Sequence, residues 1–238
     1  AAAGRALAGG RAPATGAGAM KRLSFYFDPI SPYAALAFEA LPEALAGHSV
    51  EVVYRPILFA ALLQALGQKG PAEIEAKRRW TFRQVAWLAH VQGVVLDPPA
   101  QHPFNPLPLL RLAWACAAPE GQPGDTPGRW VVEQLFHHVW RGAGADAVDP
   151  VRVAELTQRL APVQDPLGEP VKQRLRTETE VALGLGVFGV PTVELDGRLF
   201  WGQDALPMLR AALDGDPWFR SGVWESAAQP RPGITRKH

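Results

Sequence analysis

The sequence predicts an α/β fold in which a small sheet domain is interrupted by an all-helical insertion, and three observations carry that prediction. Strand-like runs occur only towards the two ends, at 22–27 and 50–54 and again at 191–201. Between them, from about 58 to 185, apolar residues recur at helical spacing and proline and glycine clusters mark the breaks. The first strand runs into Asp28-Pro29-Ile30-Ser31-Pro32, not into the glycine-rich turn that opens a doubly wound nucleotide-binding sheet. The expected division is a disordered N-terminal extension over 1–20, a sheet domain made from 21–57 and 186–215, a helical insertion over 58–185 and a C-terminal tail over 216–238.

The first nineteen residues are almost all Ala, Gly, Pro and Thr, a composition that cannot bury enough apolar area to offset chain entropy. Arg5, Arg11 and the glycines break the apolar stretch that a secretory signal needs, and Met20 reads as a candidate start. Residues 22–27 alternate into a short buried strand that ends at Asp28-Pro29. Ser31-Pro32 then forms a helix start. Serine is a favoured N-cap, and proline at the first helical position gives up an N–H that would have had no partner there. That helix is expected to reach Leu45, and a second strand over 50–54 to stop at Pro56. In the central block, 71–92 reads as an amphipathic helix with Ile74, Trp80, Val85, Leu88 and Val91 apolar and Lys77, Arg78, Arg79 and Arg83 between them. Four further helices are expected over 107–117, 129–140, 151–160 and 169–183. A hairpin of 191–195 and 198–201 about Asp196-Gly197 follows, and then a helix over 204–213. This order is that of a thioredoxin-like domain carrying an inserted all-helical domain.

Composition narrows the function classes. Lysine plus arginine number 24 against 23 acidic residues, so no surplus of positive charge is available to neutralise a phosphate backbone, and nucleic acid is not the expected partner. No run approaches the roughly 20 apolar residues of a membrane span. Cys116 is the only cysteine, which removes internal disulfides and cysteine-based zinc sites and fits a reducing, cytoplasmic setting. Glu133 and His137 share a helix face at metal-ligand spacing, but no third ligand accompanies them or His138, so no metal is expected. The tryptophans at 80, 87, 114, 130 and 140 read as core or interface material.

Two segments carry chemistry. Ser31 stands where a strand ends and a helix begins, and the free N–H groups and partial positive charge of a helix N-terminus favour an anion such as a thiolate. Capping alone also explains a serine there. The second segment, Gly186-Val-Phe-Gly-Val-Pro-Thr192, leads into the hairpin. A Val-Pro-Thr after a helix and before a hairpin is where thioredoxin-like folds place a cis-proline beside the active site, so that likeness implies a cis Pro191 that would expose the Val190 backbone to an extended ligand; an ordinary trans proline entering an edge strand is the plain alternative. Asp204 reads equally as a helix cap.

Taken together, residues 25–33, Phe188-Gly-Val-Pro-Thr192 and Trp201-Gly202-Gln203-Asp204 resemble the 2-hydroxychromene-2-carboxylate isomerases and the related kappa-class glutathione transferases, in the same order and approximate spacing over 22–214. The resemblance implies a glutathione cofactor whose thiolate is stabilised by Ser31. It further implies that the backbone of Val190, before Pro191, pairs with the glutathione cysteine, and that Trp201, Gly202, Gln203 and Asp204 hold its γ-glutamyl end. The activity implied is a glutathione-dependent isomerase of aromatic catabolism acting on a small aromatic or unsaturated keto acid, with a homodimer as one option. A kappa-type transferase that conjugates electrophiles and a non-catalytic thioredoxin-like binding module are the alternatives. DsbA-like oxidoreductases share the fold but carry Cys-x-x-Cys where this chain has Ser31-Pro32-Tyr33-Ala34, and dithiol exchange needs two thiols. Three family positions on the substrate side differ: a lysine near Leu63, an asparagine near Glu73 and a tyrosine near Gln92. Lys77, Arg78 or Arg83 could supply the missing charge, although solvation alone also explains a charged helix face.

Overall fold

The computed structural model describes residues 20–229 together with Arg231 and Gly233. Apart from Met20, the expected N-terminal extension lies outside the described residues. Four strands form one mixed sheet in the order β2-β1-β3-β4: β1 (Lys21–Phe27), β2 (Val50–Pro56), β3 (Thr192–Leu195) and β4 (Arg198–Trp201). β1 and β2 run parallel, with Phe25 opposite Tyr54, and helix α1 (Pro32–Leu45) makes the crossover between them. β3 runs antiparallel to β1, with Val193 opposite Phe25, and the hairpin returns through β4. Pro56 closes the β1–β2 pairing as its last partner, opposite Phe27, instead of ending the strand short of it. Proline is tolerated at that end position because it lacks only the donor.

The block between β2 and β3 holds α2 (Phe59–Ala65), α3 (Glu75–Gln92), α4 (Leu107–Ala115), α5 (Arg129–Trp140), α6 (Pro150–Leu160) and α7 (Glu169–Gly184). α8 (Leu206–Leu213) follows the hairpin. Two helix starts differ from the sequence expectation. Residues 71–73 form a separate short 3₁₀ turn closed by the Glu73 carboxylate, which accepts the Gly70 N–H at 2.6 Å, and the extended Ile74 separates it from α3. Likewise Gln203–Ala205 is a 3₁₀ turn before α8.

The alternation of β1 decides how the insertion docks. Leu23, Phe25 and Phe27 point to one face, into a cluster with Phe38 and Leu41 of α1, Leu135 and Phe136 of α5 and Leu209 of α8. Tyr26 points to the other, against Ile57, Leu62, Ala182, Val187 and Val190. One apolar core therefore runs through both the sheet domain and the insertion. α7 is tied to the sheet edge by the buried Glu178, whose carboxylate meets Arg55 at 2.8 Å and Arg174 at 3.0 Å. On α3 the buried face is Val85 and Ala89, against Leu36 of α1, with Phe82 half-buried. Trp80, Trp87 and Val91 face outward, each about three-fifths exposed, and Trp130 is also exposed, whereas Trp114 and Trp140 are fully buried.

After α8 the chain adds a 3₁₀ turn at Pro217–Arg220 and α9 (Val223–Ala227), and Phe219 buries against Phe200 and Trp224.

Candidate active site

The site grows from the loop between β1 and α1. Ser31 has an extended backbone and caps α1: the Ala34 N–H donates to its Oγ at 3.2 Å, and Pro32 occupies the first helical position. The Ser31 hydroxyl has one proton to give, and it donates that proton to the Val190 carbonyl at 3.3 Å, 159 positions away. The Val190–Pro191 peptide bond is cis. Among the described residues, the Val190 N–H has no hydrogen-bond acceptor. Ser31, Val190 and Pro191 are all buried.

The hairpin completes this side. Gly202 N–H donates to the Pro191 carbonyl at 2.9 Å, so Trp201, Gly202, Gln203 and Asp204 begin beside the Val190–Pro191 step. Gly202 has φ +99°, and a Cβ there would collide with the Asp204 carboxylate. Only glycine accepts both conditions comfortably. The turn at Gln203–Ala205 packs against α1. Burial holds the Tyr33 phenol above its ordinary pKa; the nearby Thr81 lowers it and the Asp204 carboxylate raises it. The Trp201 indole lies over Gly189, where a Cβ would come within 2.5 Å of Nε1, and packs on Phe188 at 4.7 Å between ring centroids. Both aromatics are partly exposed and form a ledge beside Val190.

On the opposite side the loop is held by groups that the sequence reading left unassigned. Asp28 is fully buried; its Oδ1 accepts the Ile30 N–H at 3.1 Å and its Oδ2 the Phe59 N–H at 3.0 Å, which links the loop to the start of α2. Burial pushes the carboxyl up to about 7 despite those two bonds. Trp140 Nε1–H donates to the Pro29 carbonyl at 2.9 Å, and His102 Nε2 lies 2.9 Å from the Ile30 carbonyl. The sequence did offer one signal for this shell, an acidic residue between a strand and a Ser-Pro helix start, where solvent-facing polarity has no room.

α3 forms the outer wall. Tyr33 Oη–H donates to Gln84 Oε1 at 2.7 Å and Leu36 packs on Val85 and Ala89, so α1 and α3 advance side by side in the same direction. Phe82 packs edge-on against His102 at 5.2 Å. Arg78, one turn before Phe82 on the same face, is close enough to His102 for its charge to lower the imidazole pKa. Leu63 and Glu73 meet around Gly70, and Glu73 is engaged by the Gly70 N–H. Gln92 sits at the far end of the 18-residue α3, about 25 Å along the axis from its start, and does not join them. Cys116 caps α4 elsewhere, and burial lifts its thiol pKa to about 11, so it supplies no reactive thiolate. Among the described residues no group of three or more metal-ligating side chains occurs, and no helix is long and apolar enough to cross a membrane.

Comparison with known proteins agrees with this architecture. A 2-hydroxychromene-2-carboxylate isomerase of Sphingobium xenophagum is 29% identical over 203 residues, covering 81% of this chain and 98% of that protein. Glutathione S-transferase kappa 1 of Rattus norvegicus is 24% identical over 213 residues, covering 82% and 92%. The solved structure of a 2-hydroxychromene-2-carboxylate isomerase superposes with a TM-score of 0.68 at 23% identity, over 88% of this chain and all of that one, and shows the shared fold. The DSBA-like thioredoxin domain matches residues 22–214, and the chain belongs to that family.

Proposed function

We propose that the protein is a glutathione-dependent isomerase acting on a conjugated carbonyl compound of aromatic breakdown, in the cytoplasm. The observation that carries this reading is the pairing of Ser31 Oγ with the Val190 carbonyl at the N-terminus of α1, beside a Val190 N–H without an acceptor. The residues present fit glutathione. An unpaired backbone N–H and a carbonyl side by side suit the edge of an extended peptide. The Gly202 cradle, the Asp204 carboxylate and the Trp201–Phe188 ledge lie next to them, where an amino acid end group would need polar and flat surfaces. Bound there, glutathione would supply the thiolate that this chain cannot form from its own cysteine.

The protein's part is electrostatic and positional. Ser31 would turn its hydroxyl proton from Val190 to the sulfur, while the first turn of α1 adds partial positive charge. Arg78 is exposed and acts on His102, which meets the Ile30 carbonyl next to Ser31, and we assign to it the substrate carboxylate; this would compensate for Leu63 and Glu73, which offer no cation. The names of the relatives support isomerase chemistry, and those of the kappa type support glutathione.

The test is turnover of benzylidenepyruvate and chromene carboxylates by the purified protein. The expected result is a rate that needs glutathione, saturates with it and consumes no free thiol, together with an Arg78→Ala variant whose KM rises about tenfold with kcat little changed. Stoichiometric loss of thiol would establish the transferase instead. A protein that binds no glutathione would overturn both enzymes in favour of a binding module.

A further inference from the structure

The loop that delivers Ser31 has two carbonyl groups that could oppose an anion at the helix terminus, those of Pro29 and Ile30. Neither is left free. Trp140 Nε1–H donates to Pro29 O at 2.9 Å from the core, and His102 Nε2 meets Ile30 O at 2.9 Å. A carbonyl oxygen only accepts, so Nε2 must carry the ring proton and the imidazole is the Nε2–H tautomer. Its Nδ1 is buried without a partner. The ring is enclosed by Phe82 at 5.2 Å, Trp140 at 5.8 Å and Phe104 at 6.3 Å. Burial keeps it neutral by lowering its pKa, and the charge of Arg78 works in the same direction, against the Ile30 contact.

Resting on the reading of Ser31 as a thiolate site, we propose that His102 is a positioning residue: its Nε2–H, with Trp140 Nε1–H, holds the Ile30 and Pro29 carbonyls on the insertion side of the loop. From the loop and α1 the anion at Ser31 then meets only donors, namely the Ser31 hydroxyl and the first-turn N–H groups of α1, and the Val190 carbonyl across from them is the one acceptor beside it. Without the His102 donor, the Ile30–Ser31 peptide is held only through the Ser31 N–H on the Asp28 carbonyl at 3.0 Å, and its oxygen, no longer fixed on the insertion side, can tilt towards the anion and repel it. A neutral donor suits this task, since it holds the carbonyl without changing charge as the site titrates. The insertion would thus act on the chemistry of the sheet domain without touching the bound thiol.

The experiment titrates the thiolate ultraviolet absorbance of reduced glutathione bound to the wild type, His102→Phe and His102→Gln. Phenylalanine keeps a ring in the aromatic cage and removes the donor; glutamine returns an N–H. The expected outcome is a bound-thiol pKa below that of free glutathione in the wild type, raised by about one unit in H102F, a roughly tenfold smaller thiolate fraction below the pKa, and restored most of the way in H102Q. A bound pKa depressed in the wild type and unmoved in H102F overturns the role of His102 and leaves the glutathione reading standing. No depression in the wild type overturns both. Should H102F fail to melt cooperatively, imidazole nitrogen chemical shifts of the wild-type protein decide: a His102 that is Nε2-protonated and does not titrate between pH 5 and 8 supports the proposal, and one that titrates normally or carries its proton on Nδ1 overturns it.

Discussion

Ser31 has two bonds in the protein as it stands, one accepted from Ala34 N–H and one donated to Val190 O, and the two predict different consequences of removing the hydroxyl. Loss of the cap in Ser31→Ala should cost about 0.5–2 kcal/mol of stability. Loss of a donor to a thiolate, a bond worth roughly 1.5–3 kcal/mol, should raise the bound thiol pKa by one to two units, at about 1.36 kcal/mol per unit. Ser31→Ala is therefore expected to fold, to bind glutathione and to show a pH–rate profile displaced to the alkaline side; an unmoved profile would reduce Ser31 to a cap. Asp28 makes a separate prediction. Its folded pKa of about 7 lies above the ordinary 3.8, so between those values the native state keeps a proton that the unfolded chain has released. Its contribution is full below about pH 4 and is lost as pH rises through about 7, with a slope of up to roughly 1.4 kcal/mol per pH unit. His102 and His138, with lowered pKa values, act in the opposite sense, so the difference between wild type and Asp28→Asn isolates Asp28. Denaturant unfolding across pH 4–8 should show that difference shrinking steadily with pH on the wild-type side, and parallel curves would assign the slope elsewhere. Ser31 was legible in the sequence because a Ser-Pro helix start has a local cause, whereas the roles of Asp28 and His102 depend on partners 31 and 72 positions away.

Strands, hairpin and helices whose signals are local stand where the sequence put them. Asp196-Gly197 turns the hairpin, with both residues at positive φ, and Asp149, beside Pro150, caps α6 through its side chain. α3 was legible as a helix and in part in its orientation: of the expected apolar positions Val85 is buried and Leu88 packs beside it, whereas Trp80 and Val91 face outward and Phe82 and Ala89 complete the inward face. Periodicity finds a stripe; it does not say which of two apolar stripes meets the neighbour. The hairpin also contains the element-scale prediction. A Cβ at Gly189 would sit 2.5 Å from Trp201 Nε1, and because that indole is half-exposed it can swing away without disturbing the core. Gly189→Ala should thus melt within a few degrees of wild type while glutathione binding weakens several-fold and Trp201 becomes more solvated. Calorimetric titration beside a melting curve checks both; unchanged affinity would mean that the Trp201–Phe188 ledge is not part of the glutathione surface.

At the scale of the whole molecule, the division read from the sequence followed changes in pattern, and such changes do not mark where a core ends. Phe27 of β1 packs on Phe136 of α5 at 5.3 Å between centroids, so the sheet domain and the insertion are stabilised by the same cluster. The C-terminal segment makes the same point. Its helical pieces, Pro217–Arg220 and Val223–Ala227, are too short to show a period, and the available clue was the density of aromatics at Trp218, Phe219 and Trp224. Phe219 is 6% exposed, its carbonyl accepts from Arg198 Nη2 at 3.0 Å, and its ring joins Phe200 and Trp224. Phe200 faces that cluster while the next residue, Trp201, points to the other side of β4, as strand alternation requires. Stability and binding should therefore separate. Phe219→Ala, or a chain ended after Gly215, should lose about 3 kcal/mol or more, the range for emptying a buried aromatic site, yet bind glutathione with wild-type affinity at a temperature where both remain folded. Chemical denaturation paired with calorimetric binding at 15–20 °C reads the two quantities independently. A truncated protein as stable as the full chain would return residues 216–238 to the status of a tail, and a parallel loss of affinity would mean that β4 transmits strain from its buried face to the Trp201 side.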